Sequence, residues 1–183
     1  MGSARSKTVP TRNRQKVPLQ AINVALRAFD PKLDRGLLER WLRRPHVERW
    51  WGNPDGFLND LYRRPLRSHA IIVANEQPVG YVCWQALAQE SLGHLGLSDL
   101  PTDLVDVDIL IGEADQLGRG IGPRALVLLL AELSKQDVGF AGVGTSMANT
   151  RAIRAFELAG FTLFSQFEEP EVGTCAYMVT RVR

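Results

Sequence analysis

The sequence predicts a single-domain α/β fold in which a mixed sheet is flanked by helices. Three observations carry that expectation. Segments of alternating or β-branched apolar residues are interleaved with segments of helical apolar spacing. The clearest strand, Leu104 to Ile111, is followed by a glycine-rich turn and then by a leucine-rich helix, the order of a strand–loop–helix unit. The chain has 183 residues, 45% of them hydrophobic and 23% charged, which suits one packed core and argues against a disordered, collagen-like or disulfide-scaffold chain. The domain is expected over residues 18–183, after a disordered basic tail at 1–17 that holds five cations and no acid. The tail has no apolar core of the kind a secretory signal needs.

The elements follow in order. Leu19 to Phe29 reads as a strand. Asp34 is placed to cap a helix through Leu37, Leu38, Trp41 and Leu42, and Pro45 to stop it. Val47 to Trp51 and Gly56 to Tyr62 read as short helical pieces. Ala70 to Ala74 and Val79 to Trp84 read as strands around the turn Asn75-Glu76-Gln77-Pro78. Residues 87–103 form a long loop, and long loops in compact domains are often binding loops. On the strand Leu104–Ile111, Val105, Val107, Ile109 and Ile111 share one face, and Asp106, Asp108 and Leu110 the other. The helix Pro123 to Lys135 is apolar almost all round, which predicts deep packing. Phe140 to Thr145 reads as a strand, and Asn149 to Ala159 as a helix stopped by Gly160. In that helix Ile153 and Phe156 face inward, and Arg151 and Arg154 outward. Thr162 to Phe167 and Cys175 to Thr180 are expected as the last strands.

Charge is distributed unevenly. Residues 1–67 carry a net +9, residues 68–118 a net −8 without one Lys or Arg, and the rest +1. A stretch with acids and no cations either attracts a cationic partner or forms an ordinary solvated face. The longest uninterrupted apolar run, Ala125 to Ala131, is far short of the roughly 20 residues of a membrane span, so no membrane association is expected. No basic patch interleaved with aromatics occurs outside the tail, which leaves nucleic-acid binding without support. Cys83 and Cys175 sit in apolar or β-branched surroundings and read as reduced core residues of a cytoplasmic protein. The scattered His46, His69 and His94 suggest no metal site, and none is expected.

The chemistry concentrates in Gln116-Leu117-Gly118-Arg119-Gly120-Ile121-Gly122-Pro123. Alternate glycines let backbone amides approach an anion, the following helix adds the positive end of its dipole, and Arg119 adds a charge. A pyrophosphate is the natural guest. The nucleoside-triphosphate pattern fails, because no Gly-Lys-Ser/Thr follows. The dinucleotide pattern is met nominally by Gly120 to Ala125, but eight residues, Gly112 to Arg119, separate it from the strand it should follow directly. Coenzyme A beside a splayed strand remains, with a merely tight turn as the plain alternative.

Together these stretches resemble the GNAT superfamily of acetyl-CoA-dependent N-acetyltransferases over roughly residues 18–181. Val105-Asp-Val-Asp-Ile-Leu-Ile111 resembles the strand whose backbone pairs with the pantetheine arm. Gly118-Arg-Gly-Ile-Gly122 resembles the pyrophosphate loop, and Asn149-Thr-Arg-Ala-Ile-Arg-Ala-Phe-Glu-Leu-Ala-Gly-Phe161 the signature helix near the thioester. Within the superfamily, Trp41-Leu-Arg-Arg-Pro-His-Val-Glu-Arg-Trp-Trp51 and the spacing from Asp108 to Gln116-Leu117-Gly118 are similar to the bacterial aminoglycoside 6′-N-acetyltransferases. Acyltransferases of siderophore assembly share a similar Trp-rich segment.

The resemblance implies a mostly antiparallel central sheet and acetyl-CoA as co-substrate, with no metal. The acetyl-CoA residues would be Ile109, Leu110, Ile111, Leu117, Gly118, Arg119, Gly120, Ile121, Gly122, Asn149 and Phe156. It places Asp108 where the family's catalytic acid stands. A cationic aminoglycoside would meet Trp51, Tyr81, Asp99, Asp103 and Asp106. Each of these has a plain alternative: Asp106 as a solvated strand acid, Asp99 and Asp103 as loop acids, Trp51 in helix packing, and Tyr81 in the core. Other amines, such as a polyamine, a siderophore precursor or a protein N-terminus, stay open as acceptors, and so does a catalytically silent acetyl-CoA-binding module. Monomer and homodimer both stay open. The sequence departs from the family in three places. Leu117 replaces a common Gln or Arg. Phe156 replaces a tyrosine that protonates the leaving thiolate. Gly142-Val-Gly-Thr-Ser-Met-Ala-Asn149 lacks a substrate-binding acid that some aminoglycoside enzymes carry there.

Overall fold

The computed structural model describes residues 22–61, 68–86, 92 and 97–182. The expected tail at 1–17, the start of the first strand, Tyr62 and most of the long loop lie outside the described residues. Among the described residues seven strands form one sheet in the order β1-β2-β3-β4-β5-β7-β6. They are β1 (Val24–Ala28), β2 (His69–Ala74), β3 (Gln77–Ala86), β4 (Leu104–Ile111), β5 (Phe140–Ser146), β6 (Thr162–Glu169) and β7 (Gly173–Arg181). Every neighbouring pair is antiparallel except β4 and β5. A parallel pair needs a crossover, and the helix α4 (Ile121–Leu133) provides it. α1 (Pro31–Leu42), α2 (Pro45–Trp51) and α3 (Pro54–Leu61) cover one face of the sheet. α4 and α5 (Thr150–Leu158) cover the other.

Local chemistry sets the boundaries, in places differently from the sequence expectation. Asp30, not Asp34, caps α1: its side chain accepts the Lys32 amide at 2.8 Å, ahead of Pro31 in the first helical turn. Asp34 is buried and forms a two-pronged ion pair with Arg27 of β1 at 2.7 and 2.9 Å, also accepting the Asp30 amide. Pro45 starts α2 rather than merely stopping α1, because a residue without an N–H costs nothing at a helix start. The β2–β3 hairpin turns on two residues, Asn75 and Glu76, both with positive φ (48° and 68°). That geometry matches the strand twist, so β3 begins at Gln77, two residues earlier than expected.

Two apolar layers sandwich the sheet. Val105, Val107, Ile109 and Ile111 of β4 pack with Ile121, Leu126 and Leu129 of α4 and Phe156 of α5. Leu110 joins Leu38, Trp41, Leu42, Ile71 and Tyr81 under α1–α3. A smaller cluster of Leu92, Leu97, Leu100 and Leu104 surrounds Tyr177. The expected all-round burial of α4 is corrected: Ile121, Ala125, Leu126, Leu129 and Leu133 are buried, while Val127 and Leu128 are 51% and 37% exposed. A helix on the outside of a single sheet has only one face to bury. No helix among the described residues is long and apolar enough to cross a membrane.

Candidate active site

β4 and β5 pair only through Leu104–Phe140, Val105–Ala141 and Asp106–Gly142. Beyond Asp106 they diverge. The amide of Gly112 donates to Val79 of β3 at 2.8 Å. Peptide groups alternate sides along a strand, so Val107, Ile109 and Ile111 turn their N–H and C=O groups toward the gap that β5 leaves. A cavity of about 450 Å³ lies there. Ile109, Leu110 and Ile111 form its floor. His46, Val47, Arg49, Trp50 and Trp51 of α2 line one side, and Ala148, Asn149, Ala152 and Phe156 the other. It reaches Leu117 and Gly122 at the glycine loop.

In that loop Gly118 and Gly120 have φ of 71° and 73°, a region that side-chain-bearing residues enter only at a cost. Gly120 is the N-cap of the 13-residue α4, whose start has no side-chain cap hydrogen bond and forms the positive end of the helix dipole. Arg119 donates to Gln116 at 3.0 Å, closing the loop on itself. Asn149 caps α5 through the Ala152 amide and donates to Thr145 at 3.2 Å, which fixes it at the cavity wall.

The outer wall is locked to the end of β4. The Trp41 indole donates to Glu113 at 2.8 Å, Arg44 pairs with Glu113 at 3.2 Å, and the His46 imidazole bonds the Ile111 carbonyl at 3.0 Å. Trp51 stacks edge-on against Phe57, ring centres 4.7 Å apart, while still reaching the cavity. The Arg49 guanidinium lies over the Trp50 ring at 4.7 Å.

Asp106 and Asp108 project from the face of β4 opposite α4 and α5, on either side of a buried valine. The Cys83 thiol is 3.6 Å from Asp108. Asp106 accepts a 2.9 Å hydrogen bond from Tyr177. Burial pushes the Tyr177 hydroxyl well above the usual phenol range, and the charge of Asp106 adds to the shift, so it remains a donor. The Tyr177 ring covers the bare backbone of Gly142, where an added Cβ would sit 2.3 Å from the hydroxyl.

The other sequence-predicted residues scatter. Tyr81 has no exposed surface; it bonds His69 and packs against Phe29 and Phe57, on the core side of its two alternatives. Asp103 sits against Gly139 at the closed end of the β4–β5 pair, and Asp99 is exposed on the loop before β4. Nor is the acidic stretch one surface: Glu113 is paired with Arg44, and Glu76 sits on the β2–β3 turn. His46, Arg49 and Tyr177 join the site without having been singled out. His46 and Arg49 lay within the Trp-rich segment, but nothing local connects Tyr177 to Asp106. Among the described residues no group of three or more His, Cys, Asp or Glu is placed to hold a metal, and both cysteines are free and buried.

Comparison with known proteins adds to this geometry. A profile of the acetyltransferase (GNAT) domain matches residues 30–168. The aminoglycoside N(6′)-acetyltransferase type 1 of Klebsiella pneumoniae is 31% identical over 160 residues, which cover 80% of this chain and 77% of that protein. The solved structure of aminoglycoside acetyltransferase AAC(6′)-Ib with coenzyme A and kanamycin matches with a TM-score of 0.69 and 27% identity, over 87% of this chain and 95% of that one. An aminoglycoside N(6′)-acetyltransferase from Legionella pneumophila matches with a TM-score of 0.70 over 90% of this chain and 95% of that one. At 19% identity this is a likeness of fold.

Proposed function

This chain belongs to the GNAT acetyltransferases, and we propose that within that family it moves the acetyl group of acetyl-CoA to a primary amine, the 6′-amine of an aminoglycoside. The observation that carries the reading is the divergence of β4 from β5, with a glycine loop and helix N-terminus at one end of the opening and two carboxylates on the same strand, just short of the residues that line the cavity. The gap suits acetyl-CoA. Val107 and Ile109 offer backbone groups to an amide-bearing arm, and the amides around Gly118 to Gly122 would hold the pyrophosphate. Bound there, acetyl-CoA supplies an activated acyl group. The choice of an aminoglycoside rests on the Klebsiella relative's activity and on AAC(6′)-Ib, whose structure holds coenzyme A and kanamycin.

The residues then divide the work. An alkylamine has a pKa of about 10, so it arrives as an ammonium and must lose a proton before attacking. Asp108 is the residue we assign to hold that ammonium and take the proton, directly or through water. Asp106 adds a second negative charge two residues along the same face, where a polycation is attracted. The amine nitrogen forms a bond to the acyl carbon and gives up its second proton to water, the carbon–sulfur bond breaks, and the electron pair leaves on sulfur. Phe156 has no proton to give. A thiol pKa near 8.5 lets the sulfur leave as a thiolate or take a proton from water at modest cost. A covalent route through the protein has no support from Cys83 or Cys175, both buried.

The test is thiol release from acetyl-CoA with kanamycin or tobramycin, followed by mass-spectrometric assignment of the acetylated nitrogen. Acetylation at the 6′-amine is expected. Asp108→Asn is expected to lower kcat by about 10²-fold or more, the usual range for a lost proton acceptor. Unchanged turnover in that variant would remove the role given to Asp108. Acetylation confined to other amines would replace the acceptor and leave the transfer chemistry in place.

A further inference from the structure

We propose that His46 is a positioning residue that sets the register of the acetyl-CoA arm along β4; the inference rests on the acetyl-CoA reading above, not on the choice of acceptor. A carbonyl oxygen can only accept, so the imidazole Nε2 facing Ile111 at 3.0 Å carries the proton. The Ile111 carbonyl belongs to the series of peptide groups that faces the opening. His46 therefore stands over the last carbonyl of the open edge. An amide-bearing arm laid into the gap is left with Val107 and Ile109, toward Asp108 and away from the glycine loop.

The ring is held in place from behind. α1 and α2 are tied to the residues just after Ile111 by Trp41 and Arg44, both bonded to Glu113. The Trp41 ring lies where a side chain on Gly112 would be. The histidine is thus carried by a wall that cannot drift along the strand. The consequence is directional. The imidazole lines the opening beside Ile111, so an arm that slid by one strand repeat, about 7 Å, toward the loop would meet the ring. A slip of that size would draw the acyl group away from Asp108.

The experiment compares wild type, His46→Ala and His46→Gln. The glutamine amide can still donate to the carbonyl. Binding is measured by calorimetry for coenzyme A and for 3′-phosphoadenosine 5′-diphosphate, which keeps the phosphates and lacks the arm. Thermal denaturation checks that each variant folds. His46→Ala leaves the wild-type register available, so it is expected to change the affinity for coenzyme A and for the fragment less than twofold. The readout that moves is the register. In turnover with an accepted amine, His46→Ala is expected to lower kcat several-fold and to raise the share of acetyl-CoA lost to hydrolysis, with KM for the amine unchanged. His46→Gln is expected to restore kcat and that share to within twofold of wild type. Unchanged kcat and hydrolysis share in a folded His46→Ala, or a coenzyme A affinity lowered about tenfold or more, overturns the assignment. A wild-type protein that binds neither ligand overturns the acetyl-CoA reading with it. Normal coenzyme A binding with turnover only of other amines overturns only the acceptor, and the hydrolysis share with those amines still decides His46.

Discussion

The Tyr177 hydroxyl on β7 reaches across the whole width of β5 to donate to Asp106 on β4, 2.9 Å away. It can do so because Gly142, the β5 residue that pairs with Asp106, has no side chain in its path. The bond spans the point where β4 and β5 part, and so orients the carboxylate that borders the opening. Tyr177→Phe keeps the ring over the glycine and removes only the donor. It is expected to raise KM for the amine several-fold with KM for acetyl-CoA unchanged, and to cost about 1 kcal/mol of stability. Steady-state kinetics with each substrate varied in turn, together with urea unfolding, checks both. Gly142→Ala places a methyl into the hydroxyl's position and is expected to cost about 2–3 kcal/mol.

Gly112 meets Trp41 more tightly still. A Cβ there would lie 2.0 Å from the indole, and Trp41 is fully buried, so the ring has nowhere to go. Gly112→Ala is expected to destabilise by about 3 kcal/mol, a fall of roughly 6–12 °C in Tm for a chain of this size. Differential scanning calorimetry measures it. A fall under about 2 °C would show that the α1–β4 junction is looser than described.

The Arg27–Asp34 pair predicts acid behaviour. Burial raises the Asp34 pKa. The Arg27 hydrogen bond, the Asp30 amide and the Arg27 charge outweigh it and hold the carboxyl below its ordinary value of 3.8. A carboxylate depressed in the folded state stabilises above its unfolded pKa and loses that contribution as pH falls through the folded value. Asp34→Asn is therefore expected to cost about 1–2 kcal/mol at pH 7, discounted because Arg27 is 42% exposed. The gap to wild type is expected to shrink below about pH 4. Urea unfolding at pH 7 and pH 3 gives the two values.

Gly118 and Gly120 separate folding from binding. An added Cβ at either would have nothing within 4 Å, so an alanine meets only the cost of a left-handed backbone, about 1–2 kcal/mol. If the loop moves to relieve that strain, its amides turn away from the anion. Gly120→Ala is expected to lower Tm by only a few degrees while weakening coenzyme A about tenfold. Thermal unfolding and calorimetry on the same preparation separate the two effects.

The sequence reading did best where a property is local. The alternation of β4 placed Val107 and Asp108 on opposite faces, and Asn149 and Gly160 bound the signature helix much as expected. It failed where a residue's partner is distant or where composition is ambiguous. Asp34 looks like a cap because the arginine it pairs with lies on another element. An all-apolar helix does not say which side meets the sheet, so the exposure of Val127 and Leu128 had no signal. His46 and Tyr177 contact groups 65 and 71 residues away, across elements whose adjacency only the strand order reveals. Asp99 and Asp103 are candidates because they lie in the long loop before β4; the fold puts Asp103 against Gly139 and leaves Asp99 exposed, a separation that sequence order does not show.

The short ladder between β4 and β5 has one more consequence. Three residue pairs join a four-stranded panel to a three-stranded one. On the acetyl-CoA reading, the arm that fills the seam stands in for the missing length of strand and is a structural member as well as a reagent. Each turnover then stitches the two panels together and, as coenzyme A departs, unpicks them. Product release and a loosening of the sheet become one event, and the protein is at its softest in the interval between one acyl donor and the next.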